Sequence, residues 1–306
     1  MSDIKILATG LKFPEGPAVL ADGSVVFTEI AGGTIKRVTA DGTLSEFAVT
    51  GGGPNGIAVG PDGALYVCNN GGNDWEQGGH IAYANVGIAK DYAGGYIQRV
   101  DPKSKEVRVL YTHYGPNKLS APNDIVFDAH GGFYFSDIGK RHKRYREHGG
   151  LYYATIDGAN IREVAYPVGT PNGVGLSPSG DVLYYAETDT SRLWAYDIVE
   201  PGVVKKLPYP SPNGGRLIGG LPGYQRFDSL ALESNGNVCV ATFVTGYITV
   251  MSPAGEVVRK IKMPDVFPTN ICFGGPDLRT AYITLSGDGK LASMTWPEPG
   301  LKLNYY

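Results

Sequence analysis

Six segments of the sequence each begin with a polar residue of a type that can bind a cation or a substrate. Three of them are close copies of one another: "GPNGIAVGPDGALYVCNN" from Gly53, "APNDIVFDAHGGFYFSD" from Ala121 and "TPNGVGLSPSGDVLYYAE" from Thr170. The other three begin "FPEGP", "RFDSL" and "FPTNI". We call the polar residue at the head of each segment its anchor, and the six anchors are Glu15, Asn55, Asn123, Asn172, Asp228 and Asn270.

The anchors have the chemistry of a hard-cation site. Glu15, Asn123, Asn172 and Asp228 offer oxygen atoms, and without His or Cys such a set suits Ca²⁺, Mg²⁺ or Mn²⁺. Two carboxylates close together would repel each other, and a divalent ion removes that conflict. The competing explanation is turn formation, because Pro-Asn-Gly is a common turn sequence. Turn formation explains Asn55 and Asn270 as well as a binding role does, but it explains Glu15 and Asp228 less well.

The elements around the anchors repeat, and the repeat predicts the fold. Each anchor is followed by a short apolar strand, a turn that usually contains Gly, and a second apolar strand. A third strand follows in every copy and a fourth in five of the six. This pattern predicts an all-β protein, a six-bladed β-propeller with four-stranded blades, forming a single domain over residues 1–306. The N-terminal "DIKILATG" is a spare strand that would complete the last blade; a β-sandwich would explain neither it nor the six anchors.

The loops predict which face of the propeller carries the site. The first strand of each blade lines the central channel, so the anchors should meet at one mouth. Long insertions begin at Gly71, His113, Ile138 and Pro208, and all are predicted on the anchor face, where a functional site is expected. We interpret the basic run from Lys140 to His148 as a solvated loop rather than an anion site. His80, His113 and His148 lie on these loops and could each reach a substrate, but their spacing assigns none of them a role.

Composition and absent motifs narrow the function. A formal net charge of −3 gives no reason to expect nucleic acid or a membrane surface as a partner. The N-terminus does not resemble a secretory signal, and three scattered cysteines suggest small core residues in a reducing, cytoplasmic setting. The sequence lacks the G-x-S-x-G, H-E-x-x-H, P-loop and dinucleotide-binding motifs. Any catalysis would then depend on a metal ion. The sequence does not determine the oligomeric state, and a homo-oligomer is possible.

The segments resemble the gluconolactonase family that includes regucalcin, the senescence marker protein, and more distantly the squid calcium-dependent phosphotriesterase and bacterial Drp-type lactonases. The resemblance covers nearly the whole chain. It is carried by "PEGP" with Glu15, "PNDIVFD" with Asn123, "PNGVGLSPSGDVLYYAET" with Asn172, "FDSLALESNGNVCVA" with Asp228, and "TNICFGGPDLRTAYIT" from Thr269. Members of this family are six-bladed propellers that hold one divalent ion and open lactone rings.

The resemblance implies roles for individual anchors. Glu15, Asn172 and Asp228 are implied as metal ligands, Asn123 as a further ligand or a substrate contact, and Asp228 as the residue that activates water. We also expect Asn55 to help orient the substrate. Regucalcin-like members carry an Arg at the position of Ala121, so the substrate here need not be a sugar lactone. A less polar ring could be walled by aromatic residues of the insertions: Trp75, Tyr92, Tyr145 and Tyr224.

The sequence therefore predicts hydrolysis of a small lactone by metal-activated water, with Ca²⁺ favoured and Zn²⁺, Mn²⁺ or Mg²⁺ left open. Asp228 would take up the proton of the water or orient it. One alternative is a phosphotriesterase on the same metal site. The other is a propeller without enzymatic activity that binds calcium or a protein partner, since a fold does not fix a function.

Overall fold

The computed structural model describes residues 4–305, and the regular secondary structure in this range consists of short β-strands. Residues 1–3 and 306 of the predicted domain lie outside the described residues. Within residues 4–305 we find no helix with the length and apolar character needed to cross a membrane. Numbered in chain order, the strands begin with β1 at Lys5–Ala8.

The first three blades follow one another along the chain. Blade 1 contains β2 to β5, blade 2 contains β6, β7, β10 and β11, and blade 3 contains β14 to β17. The strands of blade 1 are Pro14–Val19, Val25–Glu29, Thr34–Val38 and Leu44–Val49. Those of blade 2 are Pro54–Val59, Leu65–Asn69, Tyr96–Val100 and Val107–Tyr111. Those of blade 3 are Pro122–Phe127, Gly132–Asp137, Gly149–Thr155 and Ile161–Val168. Two hairpins stand outside this pattern, namely β8 with β9, at Asn73–Gln77 and Tyr83–Ile88, and β12 with β13, at His113–Tyr114 and Asn117–Lys118.

The last three blades complete the ring. Blade 4 contains β18 to β22, blade 5 contains β23 to β26, and blade 6 contains β27 to β29 together with β1. The strands of blade 4 are Pro171–Leu176, Val182–Glu187, Arg192–Glu200, Val203–Lys205 and Arg216–Gly220. Those of blade 5 are Arg226–Leu232, Val238–Phe243, Tyr247–Met251 and Val257–Lys262. Blade 6 combines β1 with Pro268–Gly274, Thr280–Leu285 and Lys290–Thr295. The six-bladed β-propeller predicted from the repeat is confirmed.

The N-terminal strand closes the ring, as predicted. Strand β1 pairs antiparallel with β29, with Lys5 opposite Ser293 and Ile6 opposite Ala292. The fourth position of blade 6 is thereby filled from the other end of the chain. Strand β1 covers the outer edge of β29 and becomes the outermost strand of the blade, the position that the fourth strand has in blades 1, 2, 3 and 5.

Blade 4 departs from the predicted pattern. Its outermost position is shared by two short strands, β21 and β22, and both pair with β20. The segment from Lys206 to Gly215 therefore interrupts an outer strand instead of connecting two blades. The prediction that all long insertions lie in loops of the anchor face is wrong for this one, because the chain returns to the same strand after the insertion.

The inner strands are buried on both faces, which explains their continuous apolar character. Strands β3 and β7 are buried along their full length, and β14, β15 and β24 show the same pattern. Hydroxyl groups on second strands also join neighbouring blades. Thr28 donates to the Asn55 carbonyl at 2.8 Å, and Ser136 donates to the Asn172 carbonyl at 2.5 Å. These bonds fix the backbone of anchors that belong to the next blade.

Candidate metal centre and active site in the central channel

The anchors occupy the start of the first strand in all six blades, and each of their side chains is buried. A proline precedes the anchor directly in four blades, and its fixed φ suits the entry into a strand. Two hydrogen bonds join anchors of different blades. Asn172 contacts Asp228, and Asn270 contacts Glu15, although the latter two are 255 residues apart in the chain. The structure thus brings the predicted residues together in one ring, the anchor ring.

Glu15 is a buried carboxyl group held by neutral donors. Its Oε2 accepts hydrogen bonds from the Gly16 amide at 2.9 Å and from Asn270 Nδ2 at 3.0 Å. Burial raises the pKa of Glu15 to about 7, and the hydrogen bonds from Gly16, Asn270 and Thr269 oppose that rise only in part. A carboxylate in this position gains from any cation that can reach it.

Asp228, the anchor of blade 5, is in contact with Asn172, the anchor of blade 4. Asn172 Nδ2 donates to Asp228 Oδ1 at 2.5 Å and to Thr188 Oγ1 at 3.1 Å. The Asn172 Oδ1 accepts a hydrogen bond from Ser229 Oγ at 3.3 Å. Burial, followed by the charge of Glu15, raises the pKa of Asp228 well above its usual range. The two carboxyl groups are therefore close enough to influence each other.

Asn55 and Asn123 carry the clearest sign of a missing partner. The Oδ1 atom of each is buried and accepts no hydrogen bond from any residue in the described range 4–305. Buried polar atoms are nearly always paired, so each such atom calls for an explanation. Two unpaired acceptor oxygens in a ring that also contains two carboxyl groups suit a cation or the donor groups of a bound molecule.

Asp124 is a member of the site that the sequence analysis missed. It follows Asn123, is buried, and has its pKa raised to about 7 by burial and by the charge of Glu15. A sequence signal existed, because three of the other anchors are followed by Gly, whereas this segment reads Pro-Asn-Asp. The sequence analysis assigns no role to Asp124, and the structure places it in the channel wall.

Glycines after the anchors let the first strands approach closely. A Cβ atom at Gly56 would lie 2.6 Å from Asp124 Oδ1 and 2.7 Å from the Asn123 carbonyl oxygen. A Cβ atom at Gly173 would lie 2.5 Å from the Leu230 amide nitrogen. Any larger residue would have to push the neighbouring strand away from the channel axis, so these glycines set the width of the anchor ring.

The donor set of the ring fits a hard cation. Within residues 4–305, no group of three Asp, Glu, His or Cys side chains has the arrangement of a metal site. A cation would therefore be held by a mixed set, with carboxylates from Glu15 and Asp228 and amide oxygens from the asparagines. Ca²⁺ accepts such mixed oxygen sets, including Asn carbonyl groups. The unpaired Asn55 and Asn123 oxygens are the structural observation that favours this fit.

An aromatic wall borders one half of the channel mouth above the anchor ring. Phe13, two residues before Glu15, packs against Trp75 with 5.0 Å between ring centroids and against Phe267 at 5.8 Å. Phe267 in turn stacks on Phe243 at 4.3 Å. The wall is completed by the β8–β9 hairpin, whose far end is held where the Ala82 amide donates to the Gly287 carbonyl at 2.7 Å.

The other three predicted aromatic residues do not stack with the rings of this wall. Tyr92 is partly buried and donates to the Ser120 carbonyl at 2.8 Å. Tyr145 stacks on His142 and is exposed, and Tyr224 is more exposed still. Of the four aromatic residues predicted to wall the substrate site, Trp75 packs on Phe13, two residues before Glu15, and Tyr224 lies at the guanidinium of Arg226, two residues before Asp228.

The basic loop is less solvated than predicted. Lys140 is buried, and its Nζ donates to the Gly72 carbonyl at 2.9 Å and to Asn73 Oδ1 at 2.8 Å. Burial lowers the pKa of Lys140 to about 8. Arg146, farther along the loop, is partly buried. The interpretation of this run as a solvated loop is therefore wrong for its first residue, because Lys140 attaches the loop of blade 3 to the insertion of blade 2.

A cavity on the opposite face of the propeller reaches the anchor ring. It measures about 560 Å³ and is bounded by apolar residues of the first strands, including Ile125, Val174 and Leu232. Asp124 is at its inner end, and the C-terminal segment contributes Leu301 to Asn304. Its mouth is formed by the short first-to-second turns. The side chains that could bind a cation or act on a substrate are those of the anchor ring, which lies between this cavity and the aromatic wall.

Comparison with known proteins gives the family. The model of the SMP-30/Gluconolactonase/LRE-like region matches residues 13–287. The chain is 29% identical over 263 residues to lactonase drp35 of Staphylococcus haemolyticus, an alignment that covers 85% of this chain and 72% of that protein. A gluconolactonase of Xanthomonas campestris superimposes with a TM-score of 0.75 at 19% identity, covering 97% of this chain and 90% of that one.

A calcium-binding protein, the regucalcin of Agrobacterium tumefaciens, has the same fold. It superimposes with a TM-score of 0.75 at 15% identity, and the match covers 99% of this chain and 98% of that one. At these identities the two solved structures establish the propeller fold, while the family model covers most of the sequence, including five of the six blades in full. The chain belongs to the SMP-30/Gluconolactonase/LRE-like family.

Proposed function

We propose that this protein hydrolyses a lactone and that the reaction depends on a divalent metal ion, most suitably Ca²⁺, at the anchor ring. The observation that carries the proposal is the convergence of Glu15 and Asp228 with two asparagine oxygens that are buried and unpaired among the described residues. Membership of a family that includes lactonases supports the reaction class.

Glu15 and Asp228 would hold the ion together with Asn172 and Asn123. In the arrangement described above, Asn172 directs its amide nitrogen at Asp228, so coordination by Asn172 requires the amide group to turn over. The ion, when bound, supplies a Lewis acid that polarises the ring carbonyl and makes water more acidic. Zn²⁺, Mn²⁺ and Mg²⁺ are the alternatives to be compared with Ca²⁺.

The protein's own groups would place the water and the substrate. Asp228 has a free lone pair for a water proton besides its bond to Asn172, and it serves either as the base or as the group that orients the water. Asn123 and Asn55 would face the substrate, and the aromatic wall would exclude bulk water from one side of the ring. The free cysteines Cys68, Cys239 and Cys272 support a reducing, cytoplasmic compartment as our expectation.

The proposal is tested by a lactone panel on protein stripped with EDTA and reloaded with each ion in turn. We expect hydrolysis to vanish on stripping and to return most fully with Ca²⁺. A parallel panel of organophosphate triesters distinguishes a phosphotriesterase on the same site. Full activity after complete metal removal would contradict the mechanism, and no turnover of any lactone with any ion would contradict the reaction.

Replacing Asp228 tests the same proposal at one residue. Asp228→Ala removes both a candidate ligand and the candidate base, so we expect activity to fall by at least about 100-fold and Ca²⁺ affinity to fall with it. Asp62→Ala is the control, since Asp62 lies in a turn of the opposite face and pairs with Arg99. Unchanged Ca²⁺ binding by calorimetry in Asp228→Ala would exclude Asp228 as a ligand.

A further inference from the structure

Two arginines share one carboxylate above the anchor ring. The Nη1 of Arg146 lies 3.5 Å from one oxygen of Asp189, and the Nη1 of Arg226 lies 3.4 Å from the other. Neither pair is bidentate, and both distances are long for a charged hydrogen bond. Two cations with one shared anion leave a net positive charge at this point of the surface.

The donors of this pair are largely unused. Each guanidinium carries five N–H groups, and Arg146 Nε is buried without a hydrogen-bond partner among residues 4–305. Arg141 adds a third positive charge nearby: burial lowers the pKa of Arg146, Asp189 opposes this, and the charges of Arg141 and Arg226 lower the pKa further. The pair therefore has both the charge and the free donors to accept another anion.

The arginines are close to the proposed catalytic residues. Arg226 and Asp228 are two residues apart at the start of β23, a separation of roughly 7 Å along a strand. Asp189 is bonded to the segment that carries the anchor of blade 4. Its amide donates to Thr170 Oγ1 at 3.0 Å, and Thr170 precedes the anchor Asn172 by two residues. Its neighbour Thr188 accepts a hydrogen bond from Asn172.

The two halves of the channel mouth consequently differ in character. Two residues before the anchors, blades 1, 2, 3 and 6 have the uncharged Phe13, Gly53, Ala121 and Pro268, whereas blades 4 and 5 have Thr170 and Arg226. The aromatic wall runs from blade 1 past blade 6 to Phe243, which pairs with Arg226 in blade 5, and the arginine pair continues from there towards blade 3. A molecule bound at the anchors would meet an apolar surface on one side and a positive charge on the other.

We propose that Arg146 and Arg226 bind an anionic substituent of the substrate, either a carboxylate or a phosphate ester, so that the substrate is an acidic lactone. This inference rests on the proposed lactone hydrolysis. The guanidinium groups would bind the substituent while the ring carbonyl lies at the anchor ring. Arg226 and Arg146 are then residues that determine specificity, and the reaction itself stays with Asp228 and the bound ion.

Three matched lactones test the proposal: γ-hydroxymethyl-γ-butyrolactone, its γ-carboxylate counterpart and the phosphate ester of the hydroxymethyl compound. We expect the wild-type protein to favour an anionic member in kcat/KM, mainly through a lower KM. Arg146→Gln and Arg226→Gln should each reduce the ratio of anionic to neutral kcat/KM by about tenfold. Arg226→Lys should recover part of the ratio, because it keeps the charge but loses the planar donors.

The matched control is Arg162→Gln. Arg162 also lies 3.5 Å from a single carboxylate, that of Glu200, but it is at the opposite end of blade 3, next to a third-to-fourth strand turn. The ratio should be unchanged in this variant. A wild-type protein that prefers the neutral lactone, or a ratio that Arg146→Gln and Arg226→Gln leave unaltered, would overturn the inference. The better of the two anionic lactones identifies the substituent.

A binding measurement separates this inference from the reaction on which it rests. Inorganic phosphate and acetate are titrated into the calcium-loaded protein by calorimetry, without any lactone. Binding that Arg146→Gln abolishes and Arg162→Gln preserves supports the anion site even where no lactone is turned over. Turnover of neutral lactones without anion binding in either titration supports the hydrolase and refutes the anion site.

Discussion

Three carboxyl groups, those of Glu15, Asp124 and Asp228, are buried near one another, and the main causes of their raised pKa values are burial and the charges of neighbouring carboxyl groups. Such an arrangement is unfavourable for the charged forms, because burial and mutual repulsion both disfavour ionisation. The groups are stabilised either by protons or by a metal ion. At the residue scale, a metal ion bound at the proposed site would thus compete with protons for the anchor ring.

The narrow spacing of the ring leads to a prediction for Gly56. In Gly56→Ala the new Cβ would meet the Asn123 carbonyl and Asp124 within 3 Å, so one first strand must move outward. We expect a loss of about 1–3 kcal/mol in the free energy of unfolding, measured by urea denaturation, and weaker Ca²⁺ binding. Gly87→Ala in the β8–β9 hairpin is the control, since its Cβ would have no neighbour closer than 4.0 Å. Equal stability of the two variants would show that Gly56 does not set the width of the anchor ring.

At the scale of elements, the β8–β9 hairpin links four blades. It emerges from blade 2, packs through Trp75 on Phe13 of the loop that enters blade 1, and is bonded through Ala82 to Gly287 of blade 6. Lys140 of blade 3 holds its base through Asn73. An insertion attached at so many points forms a fixed part of the channel mouth and positions the aromatic wall.

Trp75→Ala should therefore release the hairpin while leaving the propeller folded. The variant loses the contact of the indole ring with Phe13, and we expect faster proteolytic cleavage between residues 73 and 88 with a loss of about 1–2 kcal/mol in global stability. Val86→Ala, on the same hairpin but exposed, should cleave at the wild-type rate. If limited proteolysis followed by mass spectrometry gives the same rate for both variants, Trp75 does not hold the hairpin.

At the scale of the whole molecule, closure of blade 6 by β1 joins the two ends of the chain. A protein lacking residues 1–8 would expose the edge of β29 from Lys290 to Thr295, and Leu291 would lose its contact with Ala8. We expect a lower Tm and self-association through the unpaired edge, measured by light scattering during a thermal ramp. A monodisperse truncated protein with the wild-type Tm would show that closure contributes little.

The buried carboxyl groups make the stability of the metal-free protein depend on pH. Because the folded pKa of Glu15 is about 7 against an ordinary 4.5, the folded protein binds more protons than the unfolded chain between these values. The stabilisation by this proton is complete below about pH 4.5 and is lost as the pH rises through 7, a change of about 3 kcal/mol. Asp124, with its pKa also near 7, acts in the same direction.

In EDTA we expect the free energy of unfolding to fall between pH 5 and pH 8, and excess Ca²⁺ to restore most of the loss at pH 8. Glu15→Gln should show a shallower fall, because one titrating group is gone. Urea denaturation at each pH provides the measurement. A fall of the same steepness in wild type and Glu15→Gln would show that Glu15 does not titrate in this range.

The repeated segments themselves determined the fold and the positions of the anchors. Periodic apolar strands, Gly turns and the spare N-terminal strand are local patterns, and a propeller satisfies all of them at once. They also predicted that Glu15, Asn172 and Asp228 would meet, because the first strands of all blades surround one channel.

The tertiary structure decided which polar atoms lack partners and which charges are buried. The Asn55 and Asn123 oxygens, the carboxyl group of Asp124, buried Lys140 and the arginine pair on Asp189 could not be assigned from their own segments. Their states depend on contacts between distant parts of the chain, such as Arg146 with Asp189 or Glu15 with Asn270. Burial and pairing are properties of those contacts, whereas strand formation is a property of each repeat.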